Sequence, residues 1–205
     1  MPRNYEVVHH RLQEAALELF LEFGYDQVTT TEIATRAGVT QRTFFRHFAD
    51  KRDILFEREE TLCAVLTAAV ASAPPHLTPV HVLLNAFQSA EPMLEAHRAF
   101  VEPRYAVIAA TPALSERELT KVATLTALLA AALEQRAVEP GLATLIVQTS
   151  LAAMNHATKR WLTDRSCRLS VHLDRSFALL SQLFADSQPQ EAERANQVTP
   201  TARNG

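Results

Sequence analysis

The chain has 205 residues, of which 47% are hydrophobic and 21% are charged, and its formal net charge is −3 at pH 7. This composition is typical of a globular protein with a sizeable core, and it argues against a protein that coats nucleic acid over its whole surface. With only four glycines the chain has no glycine-rich phosphate loop. Its two cysteines, Cys63 and Cys167, lack the spacing of a disulfide framework or a zinc site.

No membrane or secretion signal is visible in the sequence. The longest apolar run, at residues 125–133, is far shorter than the roughly 20 residues of a membrane span. The N-terminal segment carries acids among its apolar residues, unlike a secretion signal. We therefore expect a cytoplasmic protein with no membrane partner. Motifs of hydrolases and metalloproteases are missing as well, so we expect no catalytic residue, no metal site and no cofactor.

The first 50 residues predict three helices. Apolar residues recur every three or four positions from Val8 to Phe23, which indicates an amphipathic helix that Gly24 can end in a left-handed conformation. Thr29 and Glu32 have the spacing of a capping box at the start of a second helix. That helix is short, because Gly38 stops it. Thr40 then caps a third helix through "QRTFFRHF". Two short helices joined by a tight turn form a helix-turn-helix.

The third helix has two chemically different faces. Phe44 and Phe48 are four residues apart and can both pack inward. The residues left free for the other face are Gln41, Arg42, Thr43 and Arg46. Arginine and glutamine near the start of a helix are suited to reading base edges in the major groove of DNA. Between residues 36 and 52 the basic residues Arg36, Arg42, Arg46, Lys51 and Arg52 are accompanied by a single acid, Asp50.

Beyond residue 50 the pattern stays helical. A fourth helix is predicted from Asp50 to about Ser72, and further helices are separated by prolines, with breaks at Pro92 and Pro103. Three long helices are predicted over residues 115–136, 141–164 and 169–185, and residues 188–205 have the composition of a disordered tail. The predicted fold is all-α, with a helix-turn-helix domain over residues 1–50 and a larger helical domain over residues 51–187.

The stretch "GYDQVTTTEIATRAGVTQRTFFRHFADKRDIL" resembles the DNA-binding region of TetR-family transcriptional regulators. The marks are the glycine-aromatic pair, the threonine before "EIA", "AGV" in the turn, the paired aromatics of helix three and the "F-x-x-K" that opens helix four. The resemblance implies a homodimer that binds double-stranded DNA at a palindromic operator. It usually implies a repressor released by a small-molecule effector.

Carried over by position, the resemblance implies a set of DNA contacts. Bases or adjacent phosphates would be faced by Gln41, Arg42, Thr43 and Arg46, and the DNA backbone would be held by Thr29, Thr30, Thr40, His47 and Lys51. One position departs from the family pattern. Phe45 stands where tyrosine is common and where its hydroxyl contacts a phosphate, so Phe45 would pack against sugar atoms instead.

Residues 104–136, which contain the "TPALSER" turn, resemble the effector domain of mycofactocin-type regulators. That subgroup is associated with acyl-CoA-like ligands. The residues predicted to line a ligand pocket are Phe87, Met93, Arg98, Phe100, Arg104, Tyr105, Ile108, Leu125, Leu129, Asn155 and Trp161. The apolar ones would equally fill a core. Arg98 and Arg104 would either meet an anionic ligand group or pair with an acid such as Glu95 or Glu102.

The last two long helices have apolar faces suited to dimerisation as a four-helix bundle. These faces contain Leu145, Ile146, Thr149, Leu151, Ala152 and Ala153, followed by Leu173, Phe177, Leu180, Leu183 and Phe184. The same faces could instead close the core of one protomer. The sequence as a whole predicts a ligand-responsive DNA-binding regulator, most simply a repressor, and the competing interpretation is a helical ligand-binding or protein-interaction module without specific DNA binding.

Overall fold

The computed structural model describes residues 3–185 of the chain, with side chains for residues 4–183. Within this range the regular structure is helical, without strands. The α-helices are α1 Arg3–Phe23, α2 Thr30–Arg36, α3 Gln41–His47, α4 Asp53–Phe56, α5 Glu59–Ser72, α6 Pro79–Ser89, α7 Glu91–Ala96, α8 Arg98–Ala110, α9 Pro112–Glu134, α10 Pro140–Thr163 and α11 Leu169–Ala185. A short 3₁₀ turn over Tyr25–Gln27 joins α1 to α2. The all-α prediction is confirmed, whereas the predicted tail at 188–205 lies outside the described residues.

The caps predicted around the helix-turn-helix are present. Thr29 Oγ1 accepts from the Glu32 amide at 3.2 Å, and the Glu32 carboxylate accepts from the Thr29 amide at 2.8 Å. Thr40 Oγ1 accepts from the Thr43 amide at 3.2 Å and so starts α3. Gly38 in the turn has a φ of 67°, and an added Cβ would lie 2.6 Å from the Arg11 guanidinium. A larger residue would therefore strain the backbone of this turn and would also displace the flexible Arg11 side chain.

Gly24 ends α1 with a φ of 84° but a ψ of 148°. The positive φ is as predicted, but the ψ is extended rather than left-handed helical. The chain leaves α1 directly into the 3₁₀ turn, because Tyr25 and Val28 must reach the buried side of the domain.

The residues described form two hydrophobic cores. The first combines α1, α2, α3 and α4 with the end of α8 and the start of α9, and its fully buried members include Leu12, Ile33 and Phe44. The second lies among α5, α6, α9, α10 and α11 and surrounds Trp161 and Phe87. Val107, Ile108 and Leu114 belong to the first core although they come from the second half of the chain. Helix α8 therefore joins the two parts of the molecule.

The prediction of one helix from Asp50 to Ser72 is wrong. The helix is interrupted at Glu57 and Arg58, and Arg58 has a ψ of 4°, well away from the roughly −42° of an α-helix. Ile54, Leu55 and Phe56 are three consecutive buried residues of the first core, whereas Leu66 and Val70 belong to the second. The break therefore lies between the residues that serve the first core and those that serve the second.

The predictions at the prolines were right in part. Pro79, Pro112 and Pro140 each stand in the first turn of a helix, where the missing amide costs nothing. Pro92 likewise starts α7, but Pro103 lies inside α8 and does not break it. Helix α9 begins three residues before the predicted Ser115 and ends at Glu134. No helix in the described part of the chain has both the length and the hydropathy needed to cross a bilayer.

Candidate functional site

Helix α3 buries one face and exposes the other. Phe44 is 0% exposed and Phe48 is 3% exposed, and both belong to the first core. Arg42 and Arg46 are exposed and form no hydrogen bond or ion pair with any described residue. A guanidinium without an intramolecular partner can donate to an external acceptor with no internal bond to break.

The remaining predicted contacts at the start of α2 and α3 surround these two arginines. Gln41 Nε2 donates to Thr30 Oγ1 at 3.1 Å, which fixes the direction of the Gln41 side chain on the exposed surface. Thr40 and Thr43 share a hydroxyl contact of 3.0 Å, and Thr29 caps α2. Phe45 is 52% exposed and meets Phe44 edge-on at 5.4 Å. We define the outer α3 surface as Gln41, Arg42, Phe45 and Arg46.

Lys51 has a role within the domain that the sequence did not reveal. Its Nζ donates to the carbonyls of Tyr25 and Val28 at 2.8 and 2.9 Å, and it lies over the Tyr25 ring. These carbonyls belong to the connection between α1 and α2, so Lys51 ties the start of α4 to that connection. An ammonium has three N–H donors, and one therefore remains for a phosphate.

His47 points inward, unlike the other polar residues of α3. Its ring stacks on Tyr5 with 4.1 Å between centroids, and its Nδ1 lies 3.4 Å from His9 Nδ1. Burial, followed by the charges of His9 and Arg46, lowers the pKa of His47. Because burial disfavours its charged form, His47 is poorly suited to a phosphate contact in this arrangement. The predicted backbone contact of His47 therefore needs a side-chain movement.

Glu57, at the break between α4 and α5, completes this polar group. Its carboxylate accepts from Gln13 Nε2 at 2.9 Å and lies 2.7 Å from His9 Nε2. We call Tyr5, His9, Gln13, His47 and Glu57 the Glu57 cluster. It joins α1 and α3 to the break. Sequence reasoning missed it, although Gln13 offered a signal, since it is a buried polar residue between Leu12 and Ala15 of the apolar face of α1.

A cavity of about 110 Å³ lies between the α4–α5 break and helices α7, α8 and α10. Four of the predicted pocket residues line it, namely Met93, Phe100, Arg104 and Tyr105. The break contributes Glu57 and Arg58, and α9 contributes Lys121, all of which the sequence missed. Met154 of α10, an apolar residue that the sequence had marked as able to line a pocket, lies in the wall as well. Because Glu57 lines the cavity and also binds α1, the cavity and the Glu57 cluster share a side chain.

The other predicted pocket residues lie elsewhere, and those predictions need correction. Phe87, Leu125, Leu129 and Trp161 are packed in the second core, and Ile108 is packed in the first. The Arg98 guanidinium donates to the carbonyls of Trp161 and Asp164 and lies over the Trp161 ring. Asn155 is exposed on α10. Helical periodicity separates buried from exposed positions, but it does not say which buried positions adjoin a void.

Arg104 is held by partners inside the protein. It donates to the Leu55 carbonyl and forms a 2.7 Å ion pair with Glu118, whose other oxygen binds Lys121 Nζ at 3.0 Å. Burial raises the pKa of Glu118, but Arg104 and Lys121 outweigh it and hold the pKa below its ordinary value. Of the two interpretations open for Arg104, pairing with an acid is the one the structure contains, and the acid is Glu118 rather than Glu95 or Glu102.

The predicted dimer faces also divide between core and surface. Leu173, Phe177 and Ala153 are buried in the second core of the protomer, and the side chain of Phe184 lies outside the described residues. Leu145 remains exposed at 58%, and it continues an outward stripe with Thr149 and Ala152. Exposed apolar side chains on α10 and α11 are Leu142, Leu145, Val171, Leu179 and Leu183. On α11 the exposed Leu183 is one of the predicted residues, whereas Val171 and Leu179 were not predicted.

Two family profiles match the chain and together cover most of it. Residues 12–57 match the profile described as bacterial regulatory proteins, tetR family. Residues 77–185, more than half of the chain, match the profile described as the MftR C-terminal domain. The boundary of the first match falls at the α4–α5 break.

Two curated sequences are similar to the chain. Over 171 residues the chain is 26% identical to a protein of Mycobacterium tuberculosis named as the mycofactocin biosynthesis transcriptional regulator MftR, with 82% of this chain and 86% of that protein covered. It is 35% identical over 79 residues to the transcriptional regulator TcmR of Streptomyces glaucescens, covering 38% of this chain. That second match spans only 35% of TcmR.

Solved structures share the fold. FadR of Thermus thermophilus, a TetR-family transcriptional repressor in complex with lauroyl-CoA, covers 96% of this chain and 100% of its own at a TM-score of 0.54 and 21% identity. The fatty acid degradation regulator FadR of Bacillus halodurans covers 84% of this chain and 94% of its own at a TM-score of 0.60 and 17% identity. At these identities the likeness concerns the fold alone.

Proposed function

Because the chain belongs to the TetR family of transcriptional regulators and carries an MftR-type C-terminal domain, we propose that it is a ligand-responsive repressor. In this proposal a homodimer binds a palindromic operator in double-stranded DNA, and an apolar or acyl-type small molecule releases it. The observation that carries the proposal is the outer α3 surface, where Arg42 and Arg46 are exposed and free of internal partners.

DNA contact follows from the geometry of α3. Gln41 and Arg42 open the helix at the end that enters the major groove. Arginine can bond guanine in a bidentate manner, and glutamine can bond adenine. Arg46 lies one turn further along the same face, within reach of a base or a neighbouring phosphate. Phe45 adds an apolar surface for sugar atoms and thymine methyl groups.

A homodimer would place two such helices on successive turns of the DNA. The exposed apolar stripe on α10, with Leu142 and Leu145, and its neighbour on α11, with Val171 and Leu179, supports this assembly. Apolar side chains on adjacent helices would form a four-helix bundle with their symmetry mates. The two α3 helices must then stand about 34 Å apart to match half-sites one helical turn apart.

The Glu57 cluster gives the ligand a route to α3. A ligand in the cavity would displace the α4–α5 break, and Glu57 would carry that movement to His9 and Gln13 on α1. His9 touches His47, the last residue of α3. A small rotation of α3 in each protomer would change the spacing of the two recognition helices and weaken operator binding.

An acyl-type effector is supported by the apolar walls of the cavity and by the lauroyl-CoA complex of the T. thermophilus relative. At about 110 Å³ the cavity is smaller than the roughly 300–1,000 Å³ of sites for drug-sized ligands. A long acyl chain would therefore have to open it. Met93 and Met154 in the wall are flexible enough to yield.

The test is a fluorescence-anisotropy titration of the full chain against a duplex from upstream of its own gene and against a shuffled duplex. It is run at two salt concentrations, with and without lauroyl-CoA. We expect preference for the upstream duplex, salt-sensitive affinity, and weakening by the ligand. Linkage also requires the duplex to weaken ligand binding by the same factor.

Equal affinity for both duplexes, followed by failure to enrich any sequence from a random duplex pool, would contradict the proposal. It would favour the interaction module without specific DNA binding. Specific binding that lauroyl-CoA leaves unchanged would keep the regulator and remove this effector.

A further inference from the structure

We infer that the cavity at the α4–α5 break takes a compact apolar carboxylate, whose anionic group is bound by Arg58. This inference rests on the proposed function, because it specifies the effector of the same cavity. It differs from a general acyl-type effector in two respects: the ligand carries a free negative charge inside the cavity, and its apolar body is short.

The first observation is an arginine without a partner in the cavity wall. Arg58 Nε is buried and has no hydrogen-bond partner among the described residues. A buried donor left without an acceptor is costly, and the cost is greater for a charged group. A ligand oxygen that accepts a hydrogen bond from Arg58 Nε would remove this free-energy cost.

The second observation is that the neighbouring acids do not neutralise Arg58. Glu57 directs its carboxylate to His9 and Gln13 on α1. Glu118 is shared by Arg104 and Lys121. Glu59 also lines the cavity but forms no ion pair with Arg58 within the described residues. Of the three long cations around the cavity, Arg58 is therefore the one that is available to an anion.

The third observation is the size and character of the space. Apart from its polar rim, the cavity is walled by Leu62, Met93, Leu94, Phe100, Val101 and Met154. A water-sized group needs on the order of 10–15 Å³ of such space. The cavity of about 110 Å³ therefore holds roughly 7–11 groups of that size. Hexanoate, with about eight non-hydrogen atoms, falls within this range and combines a carboxylate with an apolar chain.

The position of Arg58 connects binding with response. Arg58 and Glu57 are adjacent residues of the break, both line the cavity, and Glu57 also binds α1. A carboxylate that draws the Arg58 guanidinium inward would turn the backbone at the point where Glu57 is attached. The same two residues would thus sense the ligand and transmit its presence.

The experiment is isothermal titration calorimetry of the full chain with hexanoate and with hexanamide, which has the same size and no charge. We expect hexanoate to bind about tenfold more tightly or better, since only the carboxylate gains charge-assisted bonds to Arg58. Arg58→Met should remove the preference, and Arg58→Lys should restore part of it. Lys159→Met, which removes an exposed cation from α10, should change neither affinity.

Equal binding of hexanoate and hexanamide, or no binding of either, would overturn the inference on the unaltered protein, so the result does not depend on a variant folding. A preference for hexanoate that survives in a folded Arg58→Met protein would overturn it as well. The same preparations are titrated with the upstream duplex. Duplex binding without carboxylate binding would remove only this inference, whereas carboxylate binding without specific duplex binding would remove only the proposed repressor.

Discussion

The arginines of the outer α3 surface differ from those around the effector domain in one respect, which is their partners. Arg42 and Arg46 have no internal acceptor, whereas Arg104 bonds Leu55 and Glu118, and Arg136 donates to three carbonyls at the end of α5. An arginine with internal partners contributes to the fold, and its guanidinium is not free for a ligand. An arginine without them adds little to the fold and is available to DNA. Arg58, without partners and beside a cavity, resembles Arg42 and Arg46 in this respect.

The largest effect should come from removing a bonded arginine. Arg104 and Glu118 form a largely buried ion pair, with side-chain exposures of 10% and 26%. Arg104→Met removes the cation of this pair and also the donor to the Leu55 carbonyl. We expect the free energy of unfolding to fall by about 2–3 kcal/mol, measured by urea unfolding. Arg165→Met, which breaks the exposed pair with Glu102, serves as the control and should change stability too little to measure. Equal stability of the two variants would show that the internal partners of Arg104 do not stabilise the fold.

Removal of an arginine without internal partners should affect DNA binding and not stability. Arg42→Ala should weaken operator binding by roughly 10–100-fold and leave the unfolding transition unchanged, because a lost bidentate base contact costs about 1–3 kcal/mol. Fluorescence anisotropy with the preferred duplex measures it. Arg160→Ala, an exposed arginine on α10, should bind DNA as the parent chain does. A loss of stability in Arg42→Ala would mean that this side chain has an internal role that its lack of partners does not suggest.

Glu57→Gln should weaken the coupling between effector binding in the cavity and operator binding by α3. The substitution keeps the shape of the side chain but removes the charge that meets His9. We expect effector and operator each to bind, while the factor by which one weakens the other shrinks by roughly 2–10-fold. Paired titrations with and without effector measure this factor. Glu60→Gln changes an exposed acid of α5 and should leave the coupling factor unaltered. Full coupling in Glu57→Gln would show that the signal passes by another route, such as the packing of α1 on α8.

The smallest effect is expected on the outer α3 surface itself. Phe45→Tyr adds a hydroxyl to a side chain that is already 52% exposed, at the position where the family pattern has tyrosine. A new hydrogen bond to a phosphate should raise operator affinity by about 2–10-fold. Competition titration against the parent chain can resolve this. An unchanged or lower affinity would mean that the missing hydroxyl is no deficit and that contacts of Phe45 with sugar atoms matter more.

The sequence predicted the helix-turn-helix well because its signals are local. The Thr29–Glu32 box, the cap at Thr40 and the turn at Gly38 each depend on residues at most a few positions apart. The pocket was predicted less well. Four proposed residues line the cavity, but Phe87 and Trp161 fill the core instead, since an apolar residue at helical spacing has the same appearance in both places. The break at Glu57 and Arg58 carries no proline or glycine, so nothing in the local sequence indicated it.

By itself the sequence determined the all-helical class, the order of most helices and the two faces of α3, because periodicity and caps act over one or two turns. Only the tertiary structure decided which polar groups are bonded internally. Arg104 meets Leu55 from 49 positions away, and Glu57 meets Gln13 from 44 positions away. Such pairs depend on how α1, α4 and α8 pack together, so the availability of Arg42 and Arg58 for DNA and ligand follows from the packing of the whole chain.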